Sequence, residues 1–146
     1  MAASETPRIG PAEGQALIEQ GWQYLDVRTE AEYAAGHPAG GHNVPLMSSA
    51  PGGMRPNDDF LRVVLAIYPK DAKLVVGCQS GKRSAVACEK LRAAGYTELR
   101  DLRTGFGGVR DAFGQVQEPG WQAAGLPVET ITAGASYAEL RARAGL

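Results

Sequence analysis

A chain of 146 residues is long enough for one domain with a core that folds without disulfide or metal staples. Its 15 Lys and Arg against 16 Asp and Glu leave a net charge of −1, so no global positive field exists to hold nucleic acid or an anionic membrane. Two cysteines, Cys78 and Cys88, speak against a disulfide-rich secreted scaffold and leave no zinc-type cluster.

The opening MAASETPRIGPAEG has neither a basic n-region nor an apolar h-region, and the aliphatic-aromatic run from Val63 to Tyr68 is too short to span a bilayer. The expected compartment is therefore the cytoplasm, with both thiols reduced. Pro11, followed by Leu17 and Ile18, opens a helix that Gly21 stops. Trp22 to Val27 reads as a strand that runs out at Asp26-Val27-Arg28. Thr29 can cap a short helix carrying Glu32 and Tyr33, because its hydroxyl accepts from the free amides of a first turn, and Gly36 closes that helix. GHPAGGHNVPL, residues 36–46, holds too much Gly and Pro for a helix and predicts a turn leading to an extended piece at Asn43 to Leu46.

Residues 47–57 are expected to form a loop, with Asn57 capping a helix whose Phe60, Val63, Val64 and Ile67 share one face before Pro69 ends it. Leu74-Val75-Val76 is an apolar strand, Ser84 to Ala94 a helix closed by Gly95, and Leu99 to Leu102 a further strand. Arg103 to Gln122 is rich in glycine and gives no periodic signal. Ser136 can cap a last helix, Tyr137 to Arg143, either packed on the body through Tyr137, Leu140 and Ala144 or frayed as a tail. Strands alternating with helices predict a parallel α/β sheet. The whole chain, 1–146, is expected to be one domain with its core over about 10–129 and a helix or tail over 130–146.

The stretch LVVGCQSGKRSAVACEKL, residues 74–91, ends a strand at Cys78 and restarts as a helix through a glycine turn. In parallel α/β sheets ligands bind outside the carboxyl ends of the strands, where helix N-termini present free amides. The helix end, Lys82 and Arg83 all favour thiolate over thiol at Cys78. Gly81 lets the chain curl without a Cβ clash, so that successive amides can converge above the sulfur. A Walker phosphate loop fails on spacing, since three residues rather than four separate Gly77 from Gly81 and Lys82 is followed by Arg83. An ordinary buried cysteine at a strand end has a substantial base rate, yet it leaves Gly81, Lys82 and Arg83 unexplained.

The loop Cys78-Gln79-Ser80-Gly81-Lys82-Arg83-Ser84 resembles the active-site loop of rhodanese-like sulfurtransferases. YLDVRTEAEYAAGHPAGGHNVPL, residues 24–46, resembles their N-terminal signature, with Asp26, Arg28, Glu32, Gly36, His37, Gly40, Asn43 and Pro45 in register. The likeness covers roughly residues 10–129, and two motifs in the right order are more specific than either alone. It implies a five-stranded parallel sheet flanked by helices, a persulfide on Cys78, and a substrate cradle made by Gln79, Ser80, Gly81, Lys82, Arg83 and Ser84. A small anionic donor such as thiosulfate would give up its sulfane sulfur to Cys78, and a thiol or cyanide would accept it. No metal or organic cofactor is required.

Asp26 and Arg28 are expected to be a structural pair satisfying buried backbone. His37 and His42, without a third ligand near in sequence, are expected to be structural. Many relatives place a tryptophan soon after the paired glycines. Here Gly107-Gly108 is separated from Trp121, so residues 109–120 read as an insertion, expected to form part of the rim of the site. Two other functions compete. Phosphatases and arsenate reductases of related fold place five residues between cysteine and arginine, where this chain has four, Gln79 to Lys82. A non-enzymatic persulfide carrier needs the same thiolate as a sulfurtransferase.

Overall fold

The computed structural model describes residues 5–146. In chain order the elements are β1 (Arg8–Ile9), α1 (Pro11–Glu19), β2 (Gln23–Asp26), α2 (Glu30–Ala35), β3 (His37–Pro38), β4 (His42–Asn43), β5 (Met47–Ala50) and β6 (Gly53–Pro56). There follow α3 (Phe60–Ile67), β7 (Leu74–Gly77), α4 (Lys82–Ala93), β8 (Leu99–Leu102), β9 (Val109–Arg110), β10 (Val116–Glu118), β11 (Val128–Glu129) and α5 (Tyr137–Arg143). Five strands form one parallel sheet in the order β1-β8-β7-β2-β4, as the alternation of strands and helices predicts. β7 lies between β8 and β2, so the residue that follows it leaves the middle of the sheet at its carboxyl edge.

Strands β2, β7 and β8 each feed both faces, because successive side chains alternate. Leu25, Leu74, Val76 and Leu99 pack with Phe60, Val63, Val64, Leu91 and Leu140 of α3, α4 and α5. Tyr24, Val75 and Leu102 pack on the other face with Trp22, Phe106 and Trp121, and with Leu17 and Ile18 of α1. Helices on both faces explain why β7 reads as an unbroken apolar run. Burial of this kind stabilises by roughly 25 cal/mol for each Å² of apolar surface removed from water.

Local chemistry sets the helix ends. Thr29 accepts the Glu32 amide while the Glu32 carboxylate accepts the Thr29 amide, a complete capping box on α2. Ser136 and Glu139 repeat it on α5, which is formed and docked: Asn57 Nδ2 donates to Tyr137 Oη at 2.9 Å and Arg141 pairs with Asp59. Two expectations need correction, and one unassigned stretch gains structure. Residues 47–57 hold a β-hairpin, Met47↔Pro56 to Ala50↔Gly53, turning at Pro51-Gly52; β6 is exposed throughout, so no apolar alternation marks it. Helix α3 starts at Phe60 with Asp59 as its uncapped N-cap residue, and Asn57 instead accepts the Asp59 amide in a turn just before it. The Gly-rich stretch after Arg103 contains the antiparallel pair β9–β10.

Gly77 is the tightest of the sheet contacts. An added Cβ would lie 1.8 Å from the Tyr24 hydroxyl oxygen. Gly77→Ala is therefore expected to cost about 1–3 kcal/mol through overpacking, read as a lower urea midpoint, with part of the loss recovered in the Tyr24→Phe/Gly77→Ala double variant. A wild-type midpoint for Gly77→Ala would contradict this packing.

Candidate active site

Strand β7 delivers Cys78 to the carboxyl edge of the sheet, and the chain turns through Gly81 directly into α4. Gly81 sits at φ +95°, a conformation that side chains with a Cβ rarely adopt. A Cβ there would also stand 2.2 Å from the Arg103 carbonyl oxygen. The curl aims the Gly81 amide at Cys78 Sγ at 3.1 Å and the Ser84 amide at 3.3 Å. The thiol in turn donates to Ser84 Oγ at 3.5 Å. Cys78 is 1% exposed, and the N-terminus of the twelve-residue α4 adds the partial positive charge of its free amides.

The loop is clamped from behind by the segment after β8. Phe106 N donates to the Cys78 carbonyl at 2.8 Å and Gly107 N to the Gln79 carbonyl at 2.9 Å. This backbone approach leaves no room for a side chain: a Cβ on Gly105 would be 2.5 Å from the Gln79 carbonyl. From the β2 side, Arg28 is buried and takes the Asp26 carboxylate through Nη2 at 2.8 Å and through Nε at 3.1 and 3.2 Å. It also donates to the Gly36 carbonyl at 2.7 Å and to Gln79 Oε1 at 3.1 Å, with its guanidinium over the Phe106 ring. The pair is a strut between α2, the cysteine loop and the Phe106 segment, while Asn43 Nδ2 satisfies the Asp26 and Arg28 carbonyls.

The residues singled out from sequence fall into three places. Cys78, Gly81 and Ser84 form the buried cup around the sulfur. Gln79, Ser80 and Lys82 line a cavity of about 510 Å³ together with Phe106, Val109, Arg110 and Gln122, which puts the start of the 109–120 segment beside the cysteine loop. Arg83 turns away: its guanidinium makes a two-point contact with Glu32 at 2.7 and 3.0 Å, so its charge is committed to α2. His37 is buried with Nδ1 on the Tyr33 carbonyl and Nε2 on Thr132 Oγ1, and His42 Nδ1 meets the Tyr68 hydroxyl. Cys88 is a buried free thiol on α4, and burial pushes it well up from the ordinary thiol range.

Sequence reasoning missed a second acid at the site. Asp101, at the end of the strand beside the cysteine strand, is 2% exposed. Its Oδ1 accepts the Ser84 hydroxyl at 2.6 Å and its Oδ2 accepts Arg8 Nε at 3.0 Å. Arg8 also donates to the Gly81 carbonyl at 3.0 Å. A carboxylate closing a strand next to the cysteine was the available signal; β1, a strand of two residues, gave none.

Burial raises the Glu32 carboxyl, but the Arg83 hydrogen bonds and the Thr29 amide outweigh it and hold it at about 2, against an ordinary value of 4.5. A carboxyl depressed by folding contributes stability above its unfolded value, and that contribution is lost as the unfolded chain takes up the proton first. Glu32→Gln is therefore expected to lower stability at neutral pH by about 2 kcal/mol, and to flatten the fall in wild-type stability between pH 4.5 and about 2. Denaturant midpoints across that range check it, and parallel wild-type and variant curves would contradict it.

Comparison with known proteins gives the same family as the loop. A rhodanese-like domain model matches residues 10–112. The chain is 38% identical over 106 residues to the senescence-associated protein DIN1 of Raphanus sativus, covering 72% of this chain and 58% of that one. It is 42% identical over 90 residues to the chloroplastic thiosulfate sulfurtransferase 16 of Arabidopsis thaliana, covering 62% of this chain and 75% of the relative. The crystal structure of Rv0390 from M. tuberculosis superposes with a TM-score of 0.72 at 29% identity, over 87% of this chain and 99% of that one. With the family model matching well over half of its residues, the chain belongs to the rhodanese-like domain family.

Proposed function

We propose that this protein is a sulfurtransferase that carries a sulfane sulfur on Cys78 from a donor such as thiosulfate to a thiol or cyanide. The observation that carries the reading is the sulfur cup: a cysteine at the carboxyl edge of a parallel sheet, with the amides of Gly81 and Ser84 aimed at Sγ. Relatives named thiosulfate sulfurtransferase support it. In the first step the Cys78 thiolate attacks the outer sulfur of thiosulfate. An S–S bond forms to Sγ, the old S–S bond breaks, and sulfite leaves with its electron pair. In the second step the acceptor attacks the outer sulfur and the pair returns to Sγ, so the two half-reactions divide one difficult transfer into two easier steps.

The amides of Gln79, Ser80, Lys82 and Arg83 would serve the sulfur one bond farther out, and the Lys82 side chain with Arg110 on the rim would draw in a dianion. The commitment of Arg83 to Glu32 argues against the phosphatase reading, in which an arginine has to face a tetrahedral oxyanion. The compartment we propose is a reducing one such as the cytoplasm, which would keep the free Cys78 and Cys88 as thiols. No helix among the described residues is long and apolar enough to cross a membrane.

Intact-mass measurement after thiosulfate treatment should show one added sulfur on wild-type protein, removed by cyanide at catalytic rates. Cys78→Ala should take up none and lose turnover entirely, whereas Cys88→Ala should keep nearly all activity. Turnover in Cys78→Ala above background would sink the assignment, and an adduct that discharges only slowly would make the protein a carrier instead.

The rim also makes a prediction about acceptors. The β9–β10 hairpin is anchored by Glu118, which takes Arg103 Nη2 at 2.9 Å, so its tip can be trimmed without pulling out the anchor. Deleting Ala112 to Gln115 should change turnover with bulky thiol acceptors several-fold while leaving cyanide turnover alone. Equal effects on both acceptors would reject a role in acceptor choice.

A further inference from the structure

Three buried groups at the base of the cup form a continuous line. The Cys78 thiol donates to Ser84 Oγ at 3.5 Å, and the Ser84 hydroxyl donates to Asp101 Oδ1 at 2.6 Å. Arg8 Nε holds the other carboxylate oxygen at 3.0 Å. Ser84, Cys78 and Asp101 are 0%, 1% and 2% exposed. A serine hydroxyl has one proton to donate. While it goes to Asp101, Oγ can offer the sulfur only a lone pair, which suits the thiol and not the thiolate.

We infer that Asp101 accepts the Cys78 thiol proton through Ser84, so that the nucleophile is generated by an internal proton shift rather than by loss of a proton to solvent. The shift is balanced. The proton on Sγ passes to Ser84 Oγ as the proton on Ser84 Oγ passes to Asp101 Oδ1. The products are a thiolate, an intact serine hydroxyl now donating to sulfur, and a neutral carboxyl donating to Ser84. No electron changes hands and the net charge of the site is constant. The sulfur anion then has three donors, the amides of Gly81 and Ser84 and the Ser84 hydroxyl.

Electrostatics favour this over two independent ionisations. A thiolate and a carboxylate side by side in a dry site oppose each other, and groups so coupled share a proton. Asp101 is in contact with Arg8 from β1 and Ser84 from α4, Tyr24 from β2 and Cys88 from α4 lie within electrostatic reach of it, and Cys78 at the end of β7 meets it through Ser84. Glu5, Glu89 and Arg92 border the same groove, and Arg8 is the cation in direct contact with the carboxylate. Burial pushes the Asp101 carboxyl up from the usual range, against the pull of Ser84 and Arg8, which brings it toward a proton acceptor. Asp101 acts on the sulfur only through Ser84 and is in that sense a positioning residue.

The inference rests on Cys78 being the sulfur-carrying nucleophile, but its test needs no sulfur donor. The rate of Cys78 alkylation by iodoacetamide is followed against pH and located by peptide mass. In wild type the shared-proton thiolate is a fixed fraction of the singly protonated site, so the rate should level to a plateau on the acid side until the Cys78–Asp101 pair takes up a second proton. Ser84→Ala keeps the carboxylate but cuts the line; its plateau should vanish and the rate fall about tenfold per pH unit. Asp101→Asn should also lose the plateau but alkylate faster than Ser84→Ala at neutral pH, because no carboxylate opposes the thiolate. Should Asp101→Asn not fold, Ser84→Ala decides alone. A wild-type profile without a plateau overturns the shared proton, and a plateau that survives in Ser84→Ala overturns its passage through Ser84. A plateau with no persulfide formation overturns the sulfurtransferase reading and leaves the shared proton standing.

Discussion

The whole carboxyl edge of the sheet depends on two stretches of backbone lying against each other, Cys78 to Gly81 and Arg103 to Gly107. Their contact is made by main-chain hydrogen bonds from Phe106 and Gly107 and by glycines that leave no Cβ between the chains. A loop held this way has little freedom to relax around its sulfur. Its amides are preorganised before any ligand arrives, and fixed dipoles of this kind cost no reorganisation during reaction. The glycines in this part of the chain are therefore structural requirements of the site and not merely turn-formers.

Around that contact, guanidinium groups are used as mortar. Arg8 is paired with Asp101, Arg28 with Asp26, Arg83 with Glu32 and Arg103 with Glu118. Arg8 and Arg83 join elements 93 and 51 residues apart, Arg28 reaches across 51 residues to Gln79, and all three reach the cysteine loop or its first helical turn. With these charges spent internally, the positive character offered to a ligand comes from backbone amides, the start of α4, and the rim cations Lys82 and Arg110. That is a short-range field suited to a small anion close to the sulfur, in keeping with a chain whose total charge is near neutral.

Sequence revealed the parts of this design that are periodic or local. β2, β7, β8 and the helices α1, α2, α4 and α5 show in apolar spacing, capping residues and glycine stops, within the one or two residues by which element ends commonly shift. The cysteine loop shows because its chemistry is written in adjacent residues. What stayed hidden is non-local or weakly buried. The β5–β6 hairpin lies on the surface and has no apolar face to announce it. β1 is two residues long and becomes a strand only because β8 is there to pair with it. The pairing of Arg83 with Glu32 and of Ser84 with Asp101 spans 51 and 17 residues, and no spacing rule connects such positions before the fold is known.

The smallest strand carries a disproportionate share of the site. β1 lies at the edge of the sheet and contributes Arg8, which at once ties the Gly81 carbonyl and the Asp101 carboxylate. Short edge strands open by local unfolding far more often than the sheet as a whole, at a free energy well below that of global denaturation. Fraying at β1 would release the back of the cysteine loop while the core stays folded, because Arg8 would leave with it. Hydrogen exchange at the Ile9–Arg103 pairing, where Arg103 N donates to the Ile9 carbonyl at 3.0 Å, reports directly on how firmly β1 holds that loop.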